Sequence, residues 1–152
     1  MSITIKMEDE FGGVVGLKPI FISNQPVAQY VCLCPKMCAL LIRPGIIAVH
    51  GLNGSWDRTW TNRNEFFWLR DGLPLYCPDC NILSANLSIN LVPSNPLFIE
   101  EPAKQLIACM IGAQSQLLPE YRNIPIVFLA QGTGDFIAKK VCTNEEFLVQ
   151  WY

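Results

Sequence analysis

The chain has 152 residues, 51% of them hydrophobic and 16% charged, with a formal net charge of -2. That apolar content excludes a disordered chain and fits one modest domain. The near-neutral balance, without a basic run interleaved with aromatics, excludes an electrostatic nucleic-acid surface.

The opening MSITIKMEDEFGG carries acids where a secretory leader has a basic region and a long apolar core. The most apolar stretch, residues 30–50, is interrupted by Pro35, Lys36, Arg43 and Pro44, so it offers no span of ~18 apolar residues. The expectation is an intracellular, cytoplasmic protein without a transmembrane segment, with association to an organelle membrane left open. Residues 1–43 read as an irregular N-terminal segment with edge strands, because the runs 27–33 and 38–42 are split by Pro, Gly and Asn. Residues 44–152 form the readable domain.

GIIAVH, residues 45–50, is a continuous apolar run stopped by Gly51, Asn53 and Gly54, which predicts a buried strand ending in a loop. Residues 64–73 place Phe66, Phe67, Leu69 and Leu73 at near-helical spacing behind Asn64, a plausible cap. NILSANL, residues 81–87, is a second strand. Residues 103–118 repeat apolar side chains at three and four, with Pro102 in the first turn and Pro119 closing the helix. A strand over 124–130 and a helix over 135–141 follow, and Thr143 with Glu146 has capping-box spacing. Continuous apolar strands separated by helices predict an α/β fold with a mostly parallel sheet.

Seven cysteines in a reducing compartment are expected to remain thiols. Cys77-Pro-Asp-Cys80 has the spacing of a zinc-ligating pair, and Cys32, Cys34 and Cys38 form an irregular cluster. Both groups read more readily as buried or idle thiols, so no metal and no cofactor is expected.

In a parallel sheet ligands bind beyond the carboxyl ends of the strands. Two loops leave such ends here: VHGLNGSW after the first strand of the domain and AQGTGDF after the last. The segments GIIAVHGLNGSWDRTWT, FFWLRDGLPLYCPDCNILS and PEYRNIPIVFLAQGTGDFIAKK together resemble the α/β-hydrolase-like, lipase/esterase-type domain at the front of fungal NOD-like receptor proteins. Related serine-active-site-containing proteins share it. The resemblance spans residues 44–141 and implies the N-terminal half of an α/β-hydrolase fold.

It further implies that His50 and Gly51 shape an oxyanion loop and that the Leu52 amide faces a developing oxyanion. Read from the residues alone, His50 ends a strand and the glycines make a turn. The family elbow reads G-H-S-L-G-G, which falls on Ala130, Gln131, Gly132, Thr133, Gly134 and Asp135. The nucleophile position is thus Gly132, which has no side chain, and Thr133 is expected to point away from the oxyanion donors. Hydrolases of this fold supply nucleophile, acid and histidine in that chain order. Here the one histidine precedes the elbow and 18 residues follow Gly134, too few for the expected remainder. A tyrosine-containing segment of the family is replaced by Ser84-Ala85-Asn86-Leu87.

Other readings carry less. Gly132-Thr133-Gly134 lacks the remaining glycine of a dinucleotide loop. Asp57, Arg58 and Asp135 lie beside the two loops but suit solvated caps better than acid/base roles. Trp56, Trp60, Phe66, Phe67 and Trp68 suit core and lid packing. The resemblance therefore implies a degenerate, inactive hydrolase-like domain with an interaction or signalling role, binding a protein through an exposed sheet edge or an acyl ligand near Leu52 and Gly132. The alternatives are an active esterase or lipase on acyl esters and a non-functional fragment of a longer protein.

Overall fold

A computed structural model describes residues 16–21, 23, 45–89, 98–115, 125–145 and 147–148. Four strands form one sheet: β1 (Gly16–Phe21), β2 (Gly45–Val49), β3 (Asn81–Asn86) and β4 (Ile126–Ala130), in the order β1-β3-β2-β4. β2 is central, parallel to both β3 and β4, while β1 runs antiparallel to β3. β1 carries Pro19, which lacks an amide to donate and suits the outer position of the described sheet. The runs 27–33 and 38–42 and the cysteines Cys32, Cys34 and Cys38 lie outside the described residues.

The apolar run of β2 follows from burial on both faces. Ile47 and Val49 pack on one side with Leu17, Ala85 and Leu87 under α3 (Glu100–Ser115) and α4 (Gly134–Cys142). Ile46 and Ala48 face the other side, against Trp60, Phe67, Leu69, Cys80 and Ile82. This second layer comes from the β2–β3 connection, with two single helical turns, α1 (Trp68–Asp71) and α2 (Leu73–Tyr76). The molecule is therefore an α/β domain with a mostly parallel sheet and flanking helices.

The stripe of α3 is buried through Ala103, Leu106 and Met110, and that of α4 through Ile137, Ala138 and Val141. Both helices carry acids in the first turn, Glu100 and Glu101 or Asp135, and α4 ends with Lys139 and Lys140, so the charges complement the helix dipoles. Lys140 reaches across to Glu100 at 2.6 Å. No helix among the described residues is long and apolar enough to cross a membrane.

One local expectation is corrected. No helix starts behind Asn64. The Asn62 side chain instead accepts from the amides of Asn64 (2.8 Å) and Phe66 (3.1 Å), Glu65 turns to φ 61°, and Thr61 bridges to Phe67. The chain folds back there, helix begins only at Trp68, and Phe66 stays exposed. At the other end, the Thr143 hydroxyl bonds back to the Lys139 and Lys140 carbonyls, closing α4, and Asn144 accepts the Phe147 amide at 2.8 Å. Glu146, the other half of the expected capping box, lies outside the described residues.

Truncating Leu106, fully buried on the inner face of α3, to alanine is expected to lower unfolding stability by about 2–5 kcal/mol. Leu75→Ala, at an exposed site on α2, should stay within about 0.5 kcal/mol. Urea denaturation of the two variants checks the contrast.

Candidate functional site

The two loops marked by the sequence meet. β2 and β4 are neighbours and parallel, with Val49 opposite Ala130, so both loops leave the same end of the sheet side by side. The chain after β2 crosses to the aromatic face, whereas the chain after β4 enters α4 on the opposite face. Adjacent parallel strands whose connections part in this way define the switch point where α/β sheets place ligands.

The turn after β4 has the shape of an elbow. β4 ends at Ala130, Gln131 still donates to the Val49 carbonyl at 3.0 Å, and α4 begins at Gly134. Between them Gly132 sits at φ 57°, the left-handed conformation that costs a side chain roughly 1–2 kcal/mol. A Cβ at Gly132 would enter open space, so only the backbone angle resists one. Gly134 is constrained differently: a Cβ there would collide with the carbonyl oxygens of Val49 and His50. Gly51 on the facing loop is equally confined, since a Cβ would lie 2.6 Å from the Gln131 carbonyl oxygen. Backbone thus packs directly on backbone across the switch point.

That closeness brings Leu52 and Thr133 together. The Leu52 amide donates to Thr133 Oγ1 at 2.7 Å. The expectation that Thr133 turns away from the oxyanion donors is therefore wrong. Thr133 already has right-handed helical angles, φ -64° and ψ -17°, which aim its side chain across the gap left by Gly51. No signal in the sequence marks this contact between residues 81 apart.

His50 follows Val49 and is buried, 2% exposed. The Leu87 amide, 3.2 Å away, can only donate, so Nε2 of the ring accepts and Nδ1 carries the proton toward the Gly51 carbonyl at 2.8 Å. Both ring nitrogens are committed, and the imidazole ties the end of β2 to the chain leaving β3. Leu87 enters this arrangement through its backbone, which sequence reasoning has no means of finding.

The other candidates build the turn. Asp57 accepts from the Ser55 hydroxyl (2.8 Å) and the Arg58 amide (2.7 Å), and the Ser55 bond holds its carboxyl below the usual carboxylate range. Arg58 Nε donates to Ser55 Oγ at 3.1 Å, and Thr59 accepts the Ser55 amide. Asp135 pairs with Lys139 one helical turn on, at 2.6 Å. Trp60 and Phe67 are core, with Trp68 edge-on to Trp60 and Trp56 edge-on to Phe67. Ser84 donates its hydroxyl to the Trp56 carbonyl at 2.7 Å. Cys77 and Cys80 are free thiols remote from the two loops in the chain, and no group of three metal-ligating side chains occurs among the described residues.

No protein-family model, no curated protein and no solved structure matches the chain. The functional reading accordingly rests on the geometry of the two loops.

Two outcomes test that geometry. Gly134→Ala should destabilise the fold more than Gly132→Ala, which should cost about 1–2 kcal/mol from its backbone angle alone; thermal unfolding of both variants ranks them. His50→Ala strips the Leu87 amide of its acceptor, whereas the Gly51 carbonyl keeps the Gly54 amide at 3.0 Å. At about 1–3 kcal/mol for a buried group left unpaired, a loss of that size is expected in denaturant titration.

Proposed function

We propose that the chain is a degenerate α/β-hydrolase-like domain that does not turn over esters and acts by binding. The observation that carries this reading is the 2.7 Å hydrogen bond from the Leu52 amide to Thr133 Oγ1. An oxyanion donor accelerates acyl transfer because it is free until charge develops on the substrate. Here the amide that the resemblance places in that role is already satisfied by a threonine hydroxyl of the same chain.

Two further features support the reading. The left-handed residue of the elbow, which would present the attacking hydroxyl, is Gly132. Activating Thr133 in its place needs a general base, and the one histidine of the chain spends both nitrogens on Gly51 and Leu87. The resemblance to the front domain of NOD-like receptor proteins assigns such a domain an interaction or signalling role. In this reading the partner is a protein, met at the β4 side of the described sheet, where Val127 is 48% exposed.

The test combines a fluorophosphonate probe with hydrolysis of short-chain acyl esters. Neither labelling nor turnover is expected, and Gly132→Ser should remain silent because no base accompanies the added hydroxyl. Labelling of Thr133, or hydrolysis abolished by Thr133→Val, would instead establish an active esterase.

A further inference from the structure

A second pair of reactive side chains lies in the turn between α2 and β3. Cys77 follows the last residue of α2, Cys80 immediately precedes β3, and Pro78 and Asp79 fill the positions between. The Cys80 amide donates to the Cys77 carbonyl at 3.2 Å, closing a four-residue turn. Such a turn holds its first and last Cα atoms under about 7 Å apart, overlapping the separations a disulfide spans. Pro78 suits the second position of the turn through its fixed φ. The turn thus places the two thiol-bearing residues at its first and last positions, close in space.

Burial divides the pair. Cys80 is 8% exposed and packs with Ile46, Trp60, Leu69 and Ile82, whereas Cys77 is half-buried at the surface. One thiol can thus meet an external reagent while the other waits beside it, the arrangement of an attacking and a resolving cysteine. Among the described residues no third ligand joins them, which favours thiol exchange over a tetrahedral metal site.

We propose that Cys77 and Cys80 form a reversible redox dithiol, closed to an intramolecular disulfide by exchange with a small-molecule disulfide of the oxidised glutathione class. Cys77, as thiolate, attacks one sulfur of that disulfide; the sulfur–sulfur bond breaks and one small thiol leaves. Cys80 then attacks the Cys77 sulfur, forming the protein disulfide as the bond to the carried group breaks and the second small thiol leaves. Two protein thiols lose two electrons, one small disulfide gains them, and the two thiol protons end on the released thiols. Burial, with Cys77 and Asp79 adding to it, pushes the Cys80 thiol above its ordinary range. The resolving step therefore quickens with alkalinity, about tenfold per pH unit while the thiol form predominates. This inference is independent of the hydrolase-like reading.

The experiment incubates the full chain with oxidised glutathione and maps disulfides by mass spectrometry of an unreduced digest. A Cys77–Cys80 disulfide that dithiothreitol reopens is expected as the main product. Cys80→Ala should stop at a mixed disulfide on Cys77, whereas Cys77→Ser should leave Cys80 modified at least about tenfold more slowly than Cys77 is in the unaltered chain. Should Cys80→Ala fail to fold, the map of the unaltered chain and of Cys77→Ser still decides. Mixed disulfides on both cysteines without closure, dominant pairing with another cysteine, or one equivalent of co-purified zinc shielding both thiols would overturn the proposal.

Discussion

The direct approach of the β4–α4 turn to the end of β2 is the constraint on which the upper edge of the molecule depends. Gly134 lies where any Cβ would strike the Val49 and His50 carbonyls, and Gly51 lies where one would strike Gln131. Parallel pairing of β2 with β4 makes the approach geometrically available, and the two glycines make it sterically possible. Everything else at the switch point follows. Thr133 comes near enough for its hydroxyl to accept the Leu52 amide, and the Val49 carbonyl still receives the Gln131 amide beyond the end of β4.

The same closeness bears on chemistry. Reactive turns store backbone strain because they hold a side chain at a left-handed position. Here that position is glycine, for which φ 57° carries no steric penalty, so the turn is relaxed where a nucleophile would make it tense. The neighbouring amide is satisfied and the imidazole is locked by two backbone partners. A satisfied amide and an imidazole held by two backbone partners both contribute to the stability of this end of the sheet.

The two faces of the sheet differ in kind. Beneath α3 and α4 the core is mostly aliphatic, with Phe147 in it and Phe128 packed against it, and regular, built from stripes of helical spacing. The opposite face is covered by single helical turns and aromatic rings, with one indole nitrogen, that of Trp60, buried without a partner. Irregular chain covers a sheet only if its backbone finds local bonds, which explains the density of short-range contacts from Ser55 to Asp71. Cys80 belongs to this layer, so the thiol pair sits where the irregular crossover hands the chain to β3.

How much of this was legible depended on range. The apolar runs at residues 45–49 and 81–86 and the stripe of α3 announced an α/β sheet, because burial on both faces of a strand and on one face of a helix leaves different periodicities. The two loops at strand ends were legible for the same reason. The helix expected at Asn64 was not, since the bonds of Asn62 and the positive φ of Glu65 outweigh apolar spacing over so short a stretch. Nor was the direction of Thr133 or the captivity of His50, each set by a partner 81 or 37 residues away. The sequence by itself determined the two central strands, the stripes of the two long helices and that Gly132 offers no nucleophile. Only the tertiary structure decided what the Leu52 amide and the His50 ring are bonded to, because those bonds form when parallel pairing brings distant loops to one end of the sheet.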